Sequence, residues 1–240
     1  MPADALVECE PITVICSAKG WIRAVKGHAE AEAAVRYKEG DRERFRFHAE
    51  TTDKLLLFAT NGRFYTLAAD RLPGGRGFGE PVRLMVDLGN DHEPVALFVH
   101  RPGRRLLVAA SDGRGFFVSE DDAVAQTRTG RQVLNPAEGA EASVCVEAAG
   151  DWVAVVGSNR RLLVFPAADV PTMARGRGVI LQRYRDAALS DAQVFSGKDG
   201  LRWRSGTGVR TETALDQWRG KRGQAGRAAP RGFPAANRFL

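Results

Sequence analysis

The sequence predicts an all-β fold made of about five four-stranded units, and three observations predict it. Short apolar runs return on themselves around turn residues, as the strands of β-hairpins do. A basic, glycine-rich tail follows each hairpin. The second turn residue of each copy falls at position 20, 62, 113, 160 or 208, which gives gaps of 42, 51, 47 and 48 residues. A repeat of this length is the size of one four-stranded blade of a propeller-like domain.

The second copy shows the pattern most completely. Residues 55–58 form an apolar run short enough for a buried strand, and residues 64–67 return after Asn61 and Gly62. An Asn-Gly pair predicts a two-residue type I′ turn, in which both residues have positive φ angles. The tail at 74–81, GGRGFGEP, has too many glycines for a helix or an ordinary strand, so we expect a loop there.

The other copies also consist of a hairpin followed by a basic tail, and they differ in how clear the sequence signal of each is. The first has a weak tail at 26–28, whereas the fifth has the weakest hairpin and the strongest tail, at 219–227. The third and fourth copies carry their tails at 128–131 and 175–178. The copies divide the chain into a tether at 1–10 and a domain at 11–240 with blades at 11–50, 51–99, 100–146, 147–195 and 196–240.

Further strand-like runs fill out the blades, at 82–88, 94–100 and 143–147. The run RFRFH at 44–48 alternates arginine and phenylalanine, so Phe45 and Phe47 share one face of a strand. We interpret this run as an outer blade strand with a solvated basic face rather than as a platform on which nucleic-acid bases stack.

The composition limits the class of protein. The hydrophobic fraction of 44% is that of a globular protein, and the net charge of +6 favours a polyanionic partner, although a solvated basic surface would give the same value. The first residues are acidic, unlike a secretory signal, and no apolar stretch of about 18 residues occurs, so we expect a cytoplasmic protein without membrane contact. Three cysteines without CxxC spacing predict neither a disulfide framework nor a zinc site.

No catalytic, cofactor or metal site is predicted. The four histidines have no HxxxH or HExxH spacing, and neither a GxSxG nor a Walker A pattern occurs. Tyr184 stands between two arginines, and DNA-cleaving topoisomerases use a tyrosine next to an arginine as their nucleophile. No acidic cluster that could bind a metal lies near Tyr184 in the sequence, so we do not predict a catalytic role for it. Residues 120–122 are acidic where other copies carry Asp70 and Asp169, and we interpret this acidity as turn capping.

The tails remain as candidates for function, because they place basic glycine-rich loops at the same point of successive repeats. Glycine lets a backbone approach a phosphate closely, and arginine and lysine neutralise phosphate charge and release counterions. We expect phosphate contacts, and no contacts to base edges, from the tail residues Arg76, Arg128, Arg131, Arg175, Arg177, Arg219, Lys221, Arg222 and Arg227. A second group of candidates lies at or beside the hairpin turns, namely Lys19, Lys26, Arg63, Arg114 and Arg160.

The repeats, in this order, resemble a known family. The segments KGWIRAVKGH, TNGRFYTL, LPGGRGFGEP, SDGRGFFV, WRGKRGQAGR and PRGFP are similar to the C-terminal domain of ParC, the A subunit of bacterial DNA topoisomerase IV, which is related to the C-terminal domain of the gyrase A subunit. The resemblance implies a β-pinwheel, in which neighbouring blades exchange strands and a basic outer rim binds and bends duplex DNA without sequence specificity.

The resemblance also implies a context. The domain would present DNA to a catalytic core for decatenation and supercoil relaxation. Its partners would be the rest of ParC and, through ParC, the B subunit of the enzyme, at the nucleoid in the cytoplasm. ATP and Mg would be used by other regions, and the domain would need no cofactor. Since the region with the family's catalytic tyrosine has no counterpart here, we expect no cleavage by this chain alone.

One departure separates the two branches of the family. Gyrase carries the heptapeptide QRRGGKG in its first blade, where this chain has Lys26-Gly27-His28 followed by AEAE. The segments most similar to this heptapeptide are ARGRG at 174–178 and RGKRG at 219–223, and both lie in later blades. This departure favours topoisomerase IV. Two alternatives stay open, a gyrase-like domain that wraps DNA and a propeller that serves as a protein-interaction platform.

Overall fold

The computed structural model describes residues 8–31 and 33–240, and residues 1–7 of the predicted tether lie outside this part of the chain. The described residues form β-strands joined by turns and short 3-10 helices. They divide into two compact units. Unit 1 contains the described residues up to Ala59, Phe64–Arg101 and Val124–Arg131, and unit 2 contains Thr60–Arg63, Pro102–Ala123 and Gln132–Leu240.

The first two antiparallel sheets have four strands each, in the orders β3-β1-β2-β6 and β10-β5-β4-β7. The strands of the first sheet are β1 (Pro11–Ser17), β2 (Trp21–Lys26), β3 (Glu43–Glu50) and β6 (Glu80–Pro81). Those of the second are β4 (Lys54–Ala59), β5 (Arg63–Ala68), β7 (Pro94–Val99) and β10 (Arg131–Gln132). Phe45 and Phe47 of β3 pack on the core of unit 1, so the run at 44–48 is an edge strand, as predicted. The predicted solvated basic face is wrong for Arg46, whose side chain is only 14% exposed and donates to the Ala33 carbonyl oxygen.

Unit 2 repeats this arrangement in two sheets, β11-β8-β9-β14 and β15-β12-β13-β18, and adds a hairpin, β16-β17. The strands of the third sheet are β8 (Arg105–Ala110), β9 (Arg114–Ser119), β11 (Ala142–Glu147) and β14 (Val179–Ile180). Those of the fourth are β12 (Trp152–Gly157), β13 (Arg161–Pro166), β15 (Leu189–Phe195) and β18 (Arg227–Ala228). The hairpin consists of β16 (Leu201–Ser205) and β17 (Gly208–Glu212).

The prediction of an all-β fold of repeated four-stranded sheets is confirmed, and the fifth repeat differs from the others. It forms two strands, because its hairpin carries few apolar residues beyond Leu201 and Trp203. Its turn residues are Gly206 and Thr207, one position before the expected ones. Among the described residues, no helix has the length and hydropathy that crossing a bilayer requires.

The turn type predicted for the second hairpin is wrong. In the first four hairpins the loop has three residues, and its third residue has a positive φ angle, at Gly20, Gly62, Gly113 and Arg160. Of the described residues other than glycine, only Arg160, Asp186 and Asn237 have positive φ. Asn61 therefore does not adopt the type I′ conformation. Its side-chain oxygen instead accepts a hydrogen bond from the backbone N–H of Arg63 at 3.0 Å, which closes the loop locally.

The strand predicted at 82–88 is also wrong. Val82–Leu84 is a turn of 3-10 helix, and the Val86 N–H donates to the Val82 carbonyl oxygen at 3.1 Å. Apolar residues at every second position are typical of a strand with one buried face. Here, however, Val82 and Val86 are buried while Leu84, which would share their face in a strand, is 64% exposed. The two buried residues belong to the core of unit 1, so this segment packs by turning rather than by extending.

Each four-stranded sheet takes its last strand from the tail of the next repeat. Glu80 and Pro81, after the second hairpin, pair with Ile22 and Trp21 of the first. In the same way β10 joins the second sheet, β14 the third and β18 the fourth. This is the strand exchange that the family resemblance implies, and it places every basic tail on a sheet formed by earlier residues.

The hydrophobic cores lie between neighbouring sheets. In unit 1 the core joins Val14 and Ile22 of the first sheet to Leu55 and Leu57 of the second. In unit 2 one core joins the third and fourth sheets, and another joins the fourth sheet to Trp203 of the fifth hairpin. Full burial of a side chain of this kind stabilises a fold by about 1.5–3 kcal/mol. The loops at the sheet edges therefore rest on fully packed strands.

Candidate nucleic-acid interface

The basic tails form four loops, here called tail loops 2 to 5 after the repeats that supply them. They comprise residues 74–80, 126–132, 172–180 and 219–228. Tail loop 2 begins where Gly74 forms a parallel bridge with Ala24 of β2, and it ends where Glu80 pairs with Ile22 of the same strand. Tail loops 4 and 5 begin with equivalent bridges, Thr172 to Phe117 and Arg219 to Val164. Each of these loops is held at both ends by one strand.

One glycine in each tail loop is required by close packing. These glycines precede the exchanged strand, have φ angles between +71° and +82°, and are Gly79, Gly130, Gly178 and Gly226. A Cβ atom would lie 2.2, 2.5, 2.1 and 2.6 Å, respectively, from the carbonyl oxygens of Ile22, Phe64, Gly115 and Leu162. No side chain fits at such distances, so these glycines seat the exchanged strand on its sheet.

Backbone hydrogen bonds join tail loops 3, 4 and 5 to residues that follow the preceding tail loop. In unit 1 the Asp87 N–H, after tail loop 2, donates to the Arg128 carbonyl oxygen in tail loop 3 at 2.9 Å. In unit 2 the Gly176 N–H of tail loop 4 donates to the Val133 carbonyl oxygen at 2.9 Å. There also, the Gly223 N–H of tail loop 5 donates to the Leu181 carbonyl oxygen at 2.9 Å. The position of each tail thus depends on that of its neighbour.

The tail loops concentrate positive charge. They hold nine of the 35 lysine and arginine residues of the chain, and of its 29 acidic residues only Glu80 lies in them. All nine first-group candidates except Arg222 are exposed. Within residues 8–31 and 33–240, no hydrogen bond or ion pair engages the side chains of six of them, which are Arg76, Arg131, Arg175, Arg177, Lys221 and Arg227.

Three first-group candidates have partners within the protein. Arg128 lies 3.4 Å from an Asp87 carboxylate oxygen, with 60% of its side chain exposed, and Arg219 pairs with Asp216 at 2.8 Å. Exposed ion pairs of this kind contribute only about 0.2–1 kcal/mol, so a phosphate can compete for both arginines. Arg222 is half-buried and donates to the Ile180 carbonyl oxygen at 2.8 Å, which holds tail loop 5 against β14.

The second group of candidates divides into exposed lysines and engaged arginines. Lys19 and Lys26 are exposed. Arg63 donates to Gln132 Oε1 at 3.2 Å, and Arg114 lies 3.9 Å from an Asp112 carboxylate oxygen. Both arginines are half-buried.

Arg160 has a different role from the one expected. Its guanidinium donates to the carbonyl oxygens of Pro234 and Phe233 and to Asn237 Oδ1, at 2.9 to 3.0 Å. These bonds fasten residues 233–237 to the fourth hairpin, so we leave Arg160 out of the proposed DNA contacts.

Sequence reasoning missed two exposed arginines. Arg183 and Arg185 flank Tyr184, and the Arg183 N–H donates to the Gln224 carbonyl oxygen of tail loop 5 at 3.1 Å. They lie outside any glycine-rich tail, which is why the pattern did not include them. The only signal was their position directly after the fourth tail.

The structure offers no activated nucleophile at Tyr184. Its ring packs against Gly113 and Gly157, its hydroxyl is buried without a hydrogen-bond partner, and burial raises the pKa of the phenol. Cys16 is also buried, which raises the pKa of its thiol to about 12. Among the described residues, no group of three or more His, Cys, Asp or Glu side chains is placed to hold a metal ion.

Comparisons with known proteins identify relatives of this chain. The sequence is 43% identical over 235 residues to the A subunit of DNA topoisomerase 4 from Rickettsia bellii and 44% identical over 243 residues to that from Caulobacter vibrioides. These alignments cover 98% and 99% of this chain and 32% of each relative. The chain thus spans about a third of the length of the curated relatives it matches.

Two further comparisons concern the fold. The family described as "DNA gyrase C-terminal domain, beta-propeller" matches residues 151–189. The structure is similar to the solved Escherichia coli ParC C-terminal domain, with a TM-score of 0.79 and 24% identity, over 94% of this chain and 96% of that one. Sequence and fold lead to one assignment: the chain belongs to the family of C-terminal domains of ParC, the A subunit of DNA topoisomerase IV.

Proposed function

We propose that this domain binds duplex DNA through its tail loops, without reading base sequence, and bends it. One observation carries the proposal, namely that every four-stranded sheet bears a glycine-rich loop with at least one arginine at the same edge position, and that the four loops together hold nine basic residues and one acidic residue. A protein-interaction platform would not require arginine or lysine at this position in each repeat. Duplex DNA presents phosphates along its whole length, so each of the repeated loops can contact its own phosphate.

The strength of binding follows from the number of available cations. The six tail side chains that have no partner among the described residues can each neutralise one phosphate. Six phosphate contacts give a slope of about −5 for log affinity against log salt concentration, because each contact releases condensed counterions. None of these side chains lies on a helix or long strand that could enter a groove, so the contacts are with the backbone of DNA.

Bending follows from contacts made by successive loops. Tail loops 3, 4 and 5 are hydrogen-bonded to residues that follow the preceding tail loop, and a duplex that contacts neighbouring loops of one unit must follow the path of those loops. Bending 20 to 30 base pairs by 40 to 90° costs about 1–6 kcal/mol, which additional phosphate contacts can offset. The first blade carries Lys26-Gly27-His28 where gyrase has its heptapeptide, and this favours bending over gyrase-like wrapping.

The wider role rests on the family. The domain would act as an accessory part of an ATP-dependent type II topoisomerase and present DNA segments to the catalytic core for decatenation and relaxation. Its partners would be the remainder of ParC and, through ParC, the B subunit of the enzyme, at the nucleoid in the cytoplasm. ATP and Mg would act in other regions of the enzyme.

A salt titration tests DNA binding. Fluorescence anisotropy with a labelled duplex of about 40 base pairs, from 50 to 200 mM salt, should show an affinity loss of about 1,000-fold with no dependence on sequence. Replacing Arg175 and Arg177 by glutamine removes two contacts and should change the slope from about −5 to about −3.5. A control variant with glutamine at Lys54 and Lys198, both exposed and outside the tail loops, loses the same charge and should keep the original slope.

The alternatives have their own outcomes in these experiments. A slope near zero, or equal slopes for the tail variant and its control, would exclude the tail loops as the DNA-binding surface and favour a protein partner.

Bending is measured by energy transfer between dyes at the two ends of the duplex. Closed circular DNA relaxed in the presence of the domain should retain little writhe, whereas strong positive writhe would favour wrapping.

A further inference from the structure

The first sheet carries a cleft that DNA binding does not use. Its volume is about 500 Å³, within the range of small-molecule pockets. It lies on the face of β1 and β2 that is opposite the core of unit 1, since Ile15 alternates with the core residues Val14 and Cys16 in β1, and Val25 follows Ala24, which packs against that core, in β2. Its outer walls are Ala29, residues 33–36 and part of tail loop 2, and apart from two arginines its walls are mostly apolar.

A buried arginine lies in this cleft. Arg23 is only 6% exposed. It lies three residues after Gly20, and the equivalent positions of the second and fourth hairpins carry the buried apolar residues Tyr65 and Leu163. One of its terminal nitrogens donates to the Gly77 carbonyl oxygen and the other to the Arg36 carbonyl oxygen at 2.6 Å. A guanidinium has five N–H donors, so three remain available. Among the described residues, no carboxylate forms an ion pair with it.

An unpaired buried charge needs a counter-ion. Burying a charged group is unfavourable unless it is paired, and guanidinium groups pair best with carboxylates and phosphates through two parallel hydrogen bonds. The two backbone carbonyls that Arg23 contacts satisfy hydrogen-bond donors, but they do not neutralise its charge. The cleft therefore combines apolar walls with one buried cationic group.

The cleft is held open by side chains of the strands. His48 bonds through Nε2 to the Ala29 carbonyl oxygen at 2.7 Å, and Arg46 donates to the Ala33 carbonyl oxygen at 2.9 Å. Together with the bond from Arg23 to Arg36, these contacts fix both ends and the middle of the outer wall. A wall fixed in this way forms the site before any ligand arrives, which reduces the entropy lost on binding.

We propose that this cleft binds a small organic anion with one carboxylate or phosphate head group and a short apolar body. The head group pairs with Arg23, and the body lies against Ile15, Val25 and Phe78. The same arginine holds Gly77, the residue after Arg76, so the ligand would contact the anchor of a DNA-binding loop. The proposal does not require DNA binding, because the cleft shares only Gly75, Gly77 and Phe78 with a tail loop and its anion-binding group, Arg23, lies in β2.

Matched probes test the site. Hexanoate and phenyl phosphate, with hexanamide as the uncharged control, are titrated into the ¹⁵N-labelled chain and followed by amide chemical shifts. We expect saturable shifts at Ala33 and Gly77, with a dissociation constant of about 1 mM for at least one anion, as is typical of a ligand with so few atoms. Hexanamide should bind at least tenfold more weakly. Equal binding of hexanoate and hexanamide, or shifts confined to other residues, would overturn the proposal.

Two variants separate the head group from the body. Arg23→Met removes the charge and should weaken binding of the anions at least tenfold without changing that of hexanamide. Because Arg23 also holds Gly77 and Arg36, the second variant keeps it: Ala33→Phe fills the cleft and should abolish binding of every probe while the remaining amide shifts stay in place. Lys54→Met, an exposed charge on the second sheet, is the control and should bind as the parent does. Anion binding that survives Ala33→Phe would place the ligand elsewhere and refute the assignment.

Discussion

Replacing Gly79 by alanine should loosen the exchanged strand of the first sheet, whereas the same change at Gly77 should not. Both glycines lie in tail loop 2 and have nearly the same backbone conformation, with φ angles of +82° and +80°. A Cβ atom at Gly79 would lie 2.2 Å from the Ile22 carbonyl oxygen, but a Cβ atom at Gly77 would meet no atom within 4 Å. The two variants therefore separate steric exclusion from backbone strain.

The expected magnitudes follow from these contacts. Both variants place a Cβ atom at positive φ, which costs about 1–2 kcal/mol. Gly79→Ala must also move the backbone away from Ile22, where Glu80 pairs. Losing this two-residue pairing removes on the order of two hydrogen bonds, at about 0.5–1.5 kcal/mol each. We expect the free energy of unfolding to fall by about 1–2 kcal/mol for Gly77→Ala and by about 2–5 kcal/mol for Gly79→Ala.

Two measurements check this prediction. Urea unfolding gives the change in free energy for each variant. Amide exchange at Val82, whose N–H donates to the Gly20 carbonyl oxygen at 2.8 Å just beyond the exchanged strand, reports the edge of the sheet directly. Exchange at Val82 should accelerate in Gly79→Ala alone. Equal losses of stability in the two variants, within about 0.5 kcal/mol, would refute the steric role of the glycine.

Two further predictions concern single side chains in unit 2. Arg160→Ala should lower the free energy of unfolding by about 1–3 kcal/mol, because it removes the hydrogen bonds to residues 233–237. It should leave DNA affinity within twofold of the parent, and a tenfold loss of affinity would return Arg160 to the DNA contacts. Burial raises the pKa of Asp191, so the stability this carboxyl contributes is present at low pH and is lost as pH rises through that pKa. Asp191→Asn should remove this fall, which begins at about pH 4 where the unfolded carboxyl titrates, in urea unfolding, and an unchanged pH dependence would contradict it.

The hairpins could be predicted from the sequence because their signals are local. Leu55 to Phe58 and Phe64 to Leu67 are adjacent in the chain, and the residues between them can only turn. The turn type could not be predicted as easily. An Asn-Gly pair fits a two-residue loop and the last two residues of a three-residue loop equally well, and the register of the strands decides between them.

The exchanged strands could not be predicted from pattern at all. A strand of two residues is too short to show alternation, and Pro81 pairs with Trp21, on a different repeat. The same limit applies to Arg160 and Arg222, which resemble the exposed arginines in sequence. Only the fold shows that their donors are used by backbone carbonyls at Phe233 and Ile180.

Strand exchange explains why glycine and arginine occur together in the tails. Gly178 must lack a side chain to seat β14 on Gly115, and this seating fixes the end of the loop that carries Arg175 and Arg177. The other end is fixed by the bridge from Thr172 to Phe117. A loop held at both ends loses little backbone entropy when it binds, so the main entropic cost is that of ordering each arginine side chain, about 0.5–1.5 kcal/mol. In the proposed DNA binding, the glycines would therefore act on affinity through the fold, and the arginines would act on it through charge.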